Sequence, residues 1–210
     1  MKIGIIGASK GVGYSLLTLA LEENHQVSAL LRNPSKITIE NHNLNIIKGN
    51  IRDPEAVQSI VKNQDAICIC IGIPPTQKPV DVFSIGAKNV LQAMASESSH
   101  QKLISVSGIG AGETKGHGGF LYDRILNPLL LKTIYQDKDR QEEIIKKSNV
   151  DWLIVRPGFL TDGQRTQKYQ VIEDLTGIKA GNISRSDVAD FILKQLTNPT
   201  HFGKTPLITY

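Results

Sequence analysis

The sequence predicts an α/β fold in which helices cover both faces of one open, parallel sheet. Strand-like and helix-like segments alternate from one end of the 210 residues to the other. The run at residues 66–71 is nearly all apolar, as expected for a strand buried on both faces. About six strand–helix units fit a doubly wound sheet with strand order 3-2-1-4-5-6 and right-handed crossovers. No linker divides the chain, so we expect a single domain over residues 1–210, with a substrate pocket formed by its carboxyl-terminal part.

The predicted strands are short apolar runs that end at recognisable stops. The first ends at Gly7, the third at Gly49 and the sixth at the pair Arg156-Pro157. The second is apolar and β-branched, which favours extended structure. In chain order the predicted strands are 2–6, 26–31, 44–48, 66–71, 102–106 and 152–155.

The predicted helices follow from apolar residues at helical spacing and from capping residues. Asp53 as N-cap, with proline at the first helical position, begins the second helix. Ser184 or Ser186 caps the last helix, which ends before an Asn-Pro pair. The loop at 108–119 is rich in glycine and is expected to be mobile. In chain order the predicted helices are 12–23, 54–61, 82–96, 137–148 and 186–196.

Composition and charge argue against several classes of function. The net charge is +4, but the basic residues are dispersed and aromatic residues make up only 5%, which disfavours a nucleic-acid partner. The longest apolar stretch is far shorter than the roughly 20 residues of a membrane-spanning helix, so no membrane partner is expected. The histidines lack metal-ligand spacing, and no metal is expected. Cys68 and Cys70 cannot join distant segments, and the first residues lack a secretory apolar core, so we expect a cytoplasmic protein. We also expect a monomer.

The sharpest motif is the segment Gly-Ala-Ser-Lys-Gly-Val-Gly at 7–13, between a predicted strand and a predicted helix. Glycine allows a tight turn and lets backbone N–H groups approach a diphosphate, and the helix N-terminus adds a favourable dipole. Gly13 would let the helix pack closely on the strand. The spacing is G-x-x-x-G-x-G rather than G-x-G-x-x-G, and a strand–helix turn without a ligand is the alternative. We interpret the motif, with Gly11 as a contact, as a dinucleotide-binding loop.

The end of the second strand indicates which dinucleotide binds. Enzymes that use NAD usually carry an acidic residue there, about 20 residues after the loop, which binds the ribose hydroxyls. This chain has no carboxylate in the stretch Leu-Leu-Arg-Asn-Pro-Ser-Lys at 30–36. Arg32 offers a planar fork for a 2′-phosphate, and Ser35 and Lys10 could add donors. The alternative is a solvated arginine at a strand exit, and we expect NADP(H) rather than NAD(H).

The other strand ends predict further contacts, because ligands of open α/β sheets lie outside the carboxyl ends of the strands. Asn50 could hydrogen-bond the adenine with Ile51 packed on it, although Asn50 could instead cap the next helix. Gly72 would let the cofactor backbone pass. Ser105 and Pro157 lie at the ends of the fifth and sixth strands and are further candidate contacts.

Several segments together carry a family resemblance. In chain order they are GASKGVG, ALLRNPSK, KGNIRDPEAV, CIGIPP, ISVSG, DKDRQEEIIKKSNVDWLIVRPG and ISRSDVADFILKQL. They resemble the atypical short-chain dehydrogenase/reductases with NAD(P)H-binding, NmrA-like domains, nearest the biliverdin reductase B (flavin reductase) type. The resemblance covers nearly the whole chain and implies a Rossmann-like fold with NADP(H) as cofactor.

The resemblance also implies roles for single residues. Ser107 is expected near the nicotinamide and Lys138 near its ribose. Phe159, where the reductase has histidine, is expected in the substrate pocket with Leu160 beside it. The remaining implied cofactor contacts are Gly7, Ser9, Lys10 and Val12 in the phosphate loop, Arg32 and Ser35 at the 2′-phosphate, Asn50 and Ile51 at the adenine, and Ile71 and Gly72 after the fourth strand.

Ser107 and Lys138 are the candidate catalytic residues. Mainstream relatives use Tyr-x-x-x-Lys, in which the lysine lowers the pKa of the tyrosine, but no tyrosine here precedes a lysine by four. Tyr135 lies three residues before Lys138, so Tyr135 or solvent could supply a proton. Ser107 would hold the nicotinamide or donate to the substrate, and Lys138 would bind ribose hydroxyls and attract an acidic substrate. The alternatives are a serine that only caps a strand end and a lysine on a solvated helix face.

A site without a built-in acid suits an acceptor that needs mainly a hydride, because charge then spreads over a conjugated system. We therefore predict an NADPH-dependent reductase of a small molecule, either a linear tetrapyrrole of the biliverdin type or a flavin. A quinone is an alternative acceptor. The alternative from another class is a non-catalytic NADP(H)-binding redox sensor, which would also lack the active-site tyrosine.

Overall fold

The computed structural model describes residues 1–97, 100–120 and 122–210. The strands are β1 (Lys2–Ile6), β2 (Gln26–Leu31), β3 (Leu44–Lys48), β4 (Ala66–Ile69), β5 (Lys102–Val106), β6 (Asp151–Pro157), β7 (Phe159–Thr161), β8 (Gln170–Ile172), β9 (Asn182–Ser184) and β10 (Leu207–Thr209). The helices are α1 (Gly11–Glu22), α2 (Pro54–Val61), α3 (Val82–Ala95), α4 (Lys132–Lys146) and α5 (Arg185–Thr197). Across the described ranges, no helix has both the length and the apolar character needed to cross a membrane.

One sheet of eight strands runs through the molecule in the order β3-β2-β1-β4-β5-β6-β10-β8. The first six strands are parallel and stand in the predicted doubly wound order, which confirms the predicted fold class. β10 continues the sheet in parallel to β6, and β8 closes the edge in the antiparallel sense. β7 and β9 form a separate parallel pair. Sequence analysis did not predict these last four strands because runs of three residues carry no measurable periodicity.

Two hydrophobic cores cover the two faces of the sheet. Successive residues of β1 alternate between them, so that Ile5 belongs to one core and Ile6 to the other. α1 and α5 pack on the first face, for example through Leu16, whereas α2, α3 and α4 pack on the second through residues such as Val90 and Ile145. Helices therefore cover both faces, and a ligand site must lie at an end of the strands.

Two helices begin at a predicted capping residue, whereas the predicted start of a third helix is wrong. Asp53 caps α2 by accepting hydrogen bonds from two backbone N–H groups of its first turn. Ser184, rather than Ser186, caps α5. α4 begins at Lys132 instead of at 137, and a π-helical segment, Tyr122–Leu131, precedes it. The polar pattern around Asp137 therefore belongs to the middle of a helix and not to its beginning.

The glycine-rich loop at 108–119 is packed against the body of the protein. Ala111 and Thr114 are fully buried, and the Thr114 hydroxyl donates to the carbonyl oxygen of Ala111 at 2.6 Å. Glu113 forms an ion pair with Arg156, which is itself 1% exposed. Glycine content alone predicts a mobile loop, because it takes no account of these side-chain contacts with the rest of the protein.

Candidate functional site

A cavity of about 830 Å³ opens at the carboxyl ends of the parallel strands. Its position agrees with the rule that open α/β sheets bind ligands at this edge. Most of the residues singled out in the sequence line it. They are Gly7, Ser9, Lys10, Gly11, Val12, Arg32, Asn50, Ile51, Ile71, Gly72, Ser107, Lys138 and Leu160.

Four of the predicted residues do not line this cavity. Ser35 lies in a short turn after β2, where its hydroxyl donates to Asn33 Oδ1 at 2.8 Å. Ser105 is 1% exposed inside β5, and Pro157 ends β6. Phe159 packs edge-on against the Tyr122 ring, with 5.1 Å between ring centroids. The structure therefore gathers the phosphate-loop and strand-end residues but leaves these four away from the cavity wall.

The glycine loop has the backbone geometry of a phosphate cradle. Gly7 has φ +97° and Gly11 has φ +65°, in the left-handed region that glycine adopts without strain. A Cβ on Gly13 would collide with the carbonyl oxygen of Gly7, so only glycine allows α1 to approach β1 this closely. α1 begins at Gly11, and the unpaired N–H groups of its first turn face the cavity mouth that the loop lines.

Arg32 and Asn50 line the cavity just after the ends of β2 and β3. The Arg32 side chain is exposed at the end of β2, where no carboxylate stands beside it in the sequence. Asn50 Oδ1 accepts from the backbone N–H of Arg52 at 3.2 Å, while Asp53 supplies the cap of α2. Asn50 thus shapes the turn after β3 and leaves its amide NH₂ for another partner. A Cβ on Gly72 would meet no atom within 4 Å, so the cavity is open there.

Lys138 lies inside the cavity and not on a solvated face of α4. The residue is 7% exposed, and its ammonium donates to the carbonyl oxygens of Val106 at 3.2 Å and Ser107 at 3.1 Å. It also lies 4.5 Å from the centre of the Phe83 ring. Burial lowers the pKa of Lys138 to about 8. The lysine therefore fixes the end of β5 and brings a titratable positive charge to the site, and the interpretation as a solvated helix-face lysine is wrong.

Ser107 carries a buried hydroxyl that has no hydrogen-bond partner within the described part of the chain. Its backbone N–H donates to Val155 O at 2.8 Å, so the residue is held by the sheet while its side chain caps nothing. Buried polar atoms are rarely left unpaired, and an unpaired one at a cavity wall indicates a ligand. The Ser107 hydroxyl and the Lys138 ammonium, which binds the Ser107 carbonyl oxygen, therefore offer two hydrogen-bonding groups at the end of β5.

Asp137, the residue before Lys138 in α4, is a buried carboxylate that the sequence did not indicate. Its carboxylate is fully buried and accepts from the Phe83 backbone N–H at 2.8 Å and from the Ser84 hydroxyl at 2.5 Å. It thereby caps α3, whose own N-cap residue, Asp81, makes no side-chain capping bond. The carboxylate ties α4 to α3 and fixes the neighbouring lysine. A cap supplied from another helix leaves no local signal in the sequence.

Tyr135 lines the cavity one helical turn before Lys138. Its hydroxyl lies 2.8 Å from the Tyr122 hydroxyl, which in turn lies 2.8 Å from the carbonyl oxygen of Ile109. Burial raises the pKa of Tyr135. The hydroxyl is therefore held in place but is a weak acid.

The charged residues of the cavity wall favour an anionic ligand. Among the described residues that line the cavity, four are cations, Lys10, Arg32, Lys138 and Arg185, and one is a carboxylate, Asp162. The sequence did not indicate Arg185, because this residue reaches the glycine loop only through the packing of α5 against α1. The N-cap serine before Arg185 marked the start of a helix but not which loop that start would meet.

Comparison with known proteins gives a consistent family. Residues 7–199 match the model of a family described as NAD(P)H-binding. The chain is 29% identical over 210 residues to the protein YwnB of Bacillus subtilis (strain 168), which covers 96% of this chain and 94% of YwnB.

Two solved structures share the fold over the whole of this chain. ChuY, an anaerobillin reductase from Escherichia coli O157:H7, superposes with a TM-score of 0.83 at 22% identity and covers 100% of this chain and 97% of its own. The oxidoreductase ylbE from Lactococcus lactis superposes with a TM-score of 0.82 at 25% identity and covers 100% and 90%.

Proposed function

Because this chain belongs to the NAD(P)H-binding family, we propose that it is an NADPH-dependent reductase that passes a hydride to a conjugated acceptor, a flavin or a linear tetrapyrrole. The observation that carries the proposal is the buried hydroxyl of Ser107, which has no partner among the described residues, together with the buried ammonium of Lys138 that binds the Ser107 carbonyl oxygen, in a cation-lined cavity. The reductases among the structural relatives support the reaction class, and the acceptor is our inference.

The residues along the cavity fit a dinucleotide with a 2′-phosphate. The N–H groups at the start of α1 suit the diphosphate, and the Arg32 fork suits the 2′-phosphate. Asn50 keeps its amide free for the adenine, and Ser107 offers its hydroxyl to the nicotinamide end. Bound NADPH would supply the hydride. The family covers both NAD and NADP, and the choice of NADP rests on Arg32.

The protein contributes position, charge and exclusion of water rather than a strong acid. Lys138 brings a positive charge that attracts an acidic acceptor and stabilises negative charge on it. Apolar side chains, including Ile73, Leu131 and Leu160, form the wall around the acceptor end. Because burial raises the pKa of Tyr135, a proton from solvent suits this site better, and a conjugated acceptor tolerates that route.

The proposal is tested by mixing the purified chain with NADPH and, in separate assays, FMN, biliverdin or a benzoquinone while following NADPH absorbance. We expect acceptor-dependent oxidation with FMN or biliverdin, and formation of the reduced product. Tight NADPH binding without oxidation by any acceptor would contradict the reductase. It would instead support the redox sensor, which is favoured by the same shifted Tyr135–Lys138 spacing.

A further inference from the structure

An ion pair lies at the mouth of the cavity beside the glycine loop. Arg185 Nη1 is 2.7 Å from Asp162 Oδ1, and both residues line the cavity. The Arg185 side chain is 29% exposed, whereas the Asp162 side chain is 92% exposed. The Arg185 side chain is therefore mostly enclosed by protein, while its partner stands in solvent.

Arg185 is placed against the start of α1. Its Nε lies 3.8 Å from the position that a Cβ on Gly11 would take, and Gly11 is the first residue of α1. The first-turn N–H groups of α1 have no partners within their own helix. A cation therefore stands next to unpaired backbone donors, and the two share one region of the cavity.

The segment that carries Asp162 is fixed to the first turn of α5. The Ser184 hydroxyl donates to Gln164 O at 3.1 Å, and the Ser186 hydroxyl donates to Gly163 O at 3.0 Å. The backbone segments that carry Asp162 and Arg185 are thus held together. Only the two side chains need to move for the pair to separate.

We propose that Arg185 is the counter-ion of the cofactor diphosphate and that Asp162 holds its guanidinium at the cavity mouth until the diphosphate replaces the carboxylate. This rests on the proposed binding of NADPH. An exposed ion pair contributes little to stability, so breaking it costs little. A diphosphate next to α1 offers the planar fork two oxygens in a better-desolvated position. Arg185 and Arg32 therefore serve different phosphates of one ligand.

The test is calorimetric titration of the chain and its variants with NADP⁺. Arg185→Gln should weaken NADP⁺ binding about tenfold or more, because a charge-assisted hydrogen bond is lost. The affinity of Arg185→Lys should lie between those of the wild type and Arg185→Gln, because lysine keeps the charge without the planar fork. Asp162→Asn should tighten binding roughly two- to five-fold by freeing the guanidinium. In the Arg185→Gln background, Asp162→Asn should give no gain.

Matched controls use another exposed pair that does not line the cavity. Glu173 and Lys204 form an ion pair at 2.9 Å. Glu173→Gln and Lys204→Gln change the net charge by the same amounts as the test variants, and both should leave NADP⁺ affinity unchanged. Wild-type affinity in Arg185→Gln, or an equal gain from Glu173→Gln and Asp162→Asn, overturns the proposal.

Fragments of the cofactor distinguish the two arginines. Arg185→Gln should weaken ADP, which carries the diphosphate, and leave 2′-AMP unchanged, whereas Arg32→Glu should do the reverse. Equal losses of both fragments in Arg185→Gln would assign the residue a structural role and overturn the proposal. If Arg185→Gln does not fold, the Asp162→Asn gain alone decides. Wild-type chain that binds no NADP⁺ would instead refute the proposed function.

Discussion

The two ends of the cavity are built by different means. The glycine-loop side is formed by residues between 7 and 73, at the glycine loop and at successive strand ends, with Arg185 and Asp162 beside the loop. The opposite side is formed by residues of α3 and α4 and by the end of β5. The first side offers a ligand the backbone of glycines with positive φ and the N–H groups of a helix start. The second offers a buried lysine and a serine hydroxyl that has no partner among the described residues.

Because the two ends differ in this way, we expect them to respond differently to mutation. We expect changes on the glycine-loop side to act through the backbone and to weaken every nucleotide, whereas a change of the exposed Arg32 should discriminate between NADPH and NADH. We expect changes on the opposite side to act through single side chains, by removing charge from the site or by altering contacts with an acceptor.

The largest effect is expected from Gly13→Ala, because its Cβ would collide with the carbonyl oxygen of Gly7. We expect a loss of about 1–3 kcal/mol in the free energy of unfolding, measured by urea denaturation without nucleotide, and loss of binding for both NADPH and NADH. Gly72→Ala is the control, since its Cβ meets nothing within 4 Å. Equal destabilisation by the two variants would disprove the backbone account.

Arg32→Glu should separate the two dinucleotides. The substitution removes the guanidinium and introduces a negative charge that repels the 2′-phosphate. It should therefore weaken NADPH binding about 10- to 100-fold, and NADH binding far less. Lys36→Glu, an exposed charge reversal that does not line the cavity, is the control and should change neither. Equal losses for NADPH and NADH would remove the assignment of the 2′-phosphate to Arg32.

Lys138→Met should lower NADPH affinity about tenfold near neutral pH, because it removes a charge from the site. Burial lowers the pKa of Lys138 to about 8, so the wild-type chain loses this positive charge as pH rises through that value. Its NADPH affinity should fall over the same window, and the variant should show no such fall.

The groups that face Lys138 are consistent with this assignment. Asp137 and Glu142 favour its charged form, and burial raises the pKa of Cys70 to about 12, above the window. Lys132→Met, an exposed change on the same helix, should keep the wild-type pH profile. A pH-dependent fall that persists in Lys138→Met would show that another group is responsible.

Tyr135→Phe should have the smallest effect. Because burial raises the pKa of Tyr135, removing its hydroxyl should lower kcat with FMN by less than about threefold, far below the factor of about 100 or more typical of a general acid. Tyr122→Phe removes the neighbouring hydroxyl and is the matched control. A hundredfold loss confined to Tyr135→Phe would make this tyrosine the proton donor.

The division between the two ends also explains what could be predicted from the sequence. The six parallel strands, their order and the glycine loop follow from local patterns, and the structure confirms them. The positions of Asp137 and Arg185 could not be predicted, because helix packing brings each of them next to an element that is distant in the sequence. The predicted start of α4 is wrong for a related reason. The polar residue Asp137, with which the predicted helix begins, lies within α4 and caps α3.

Calorimetric titration of the wild-type chain with NADPH and with NADH tests the central claim most directly. We expect binding of both nucleotides, with NADPH at least about tenfold tighter. Absence of heat with either nucleotide, in a chain shown to be folded, would contradict the account of the whole cavity.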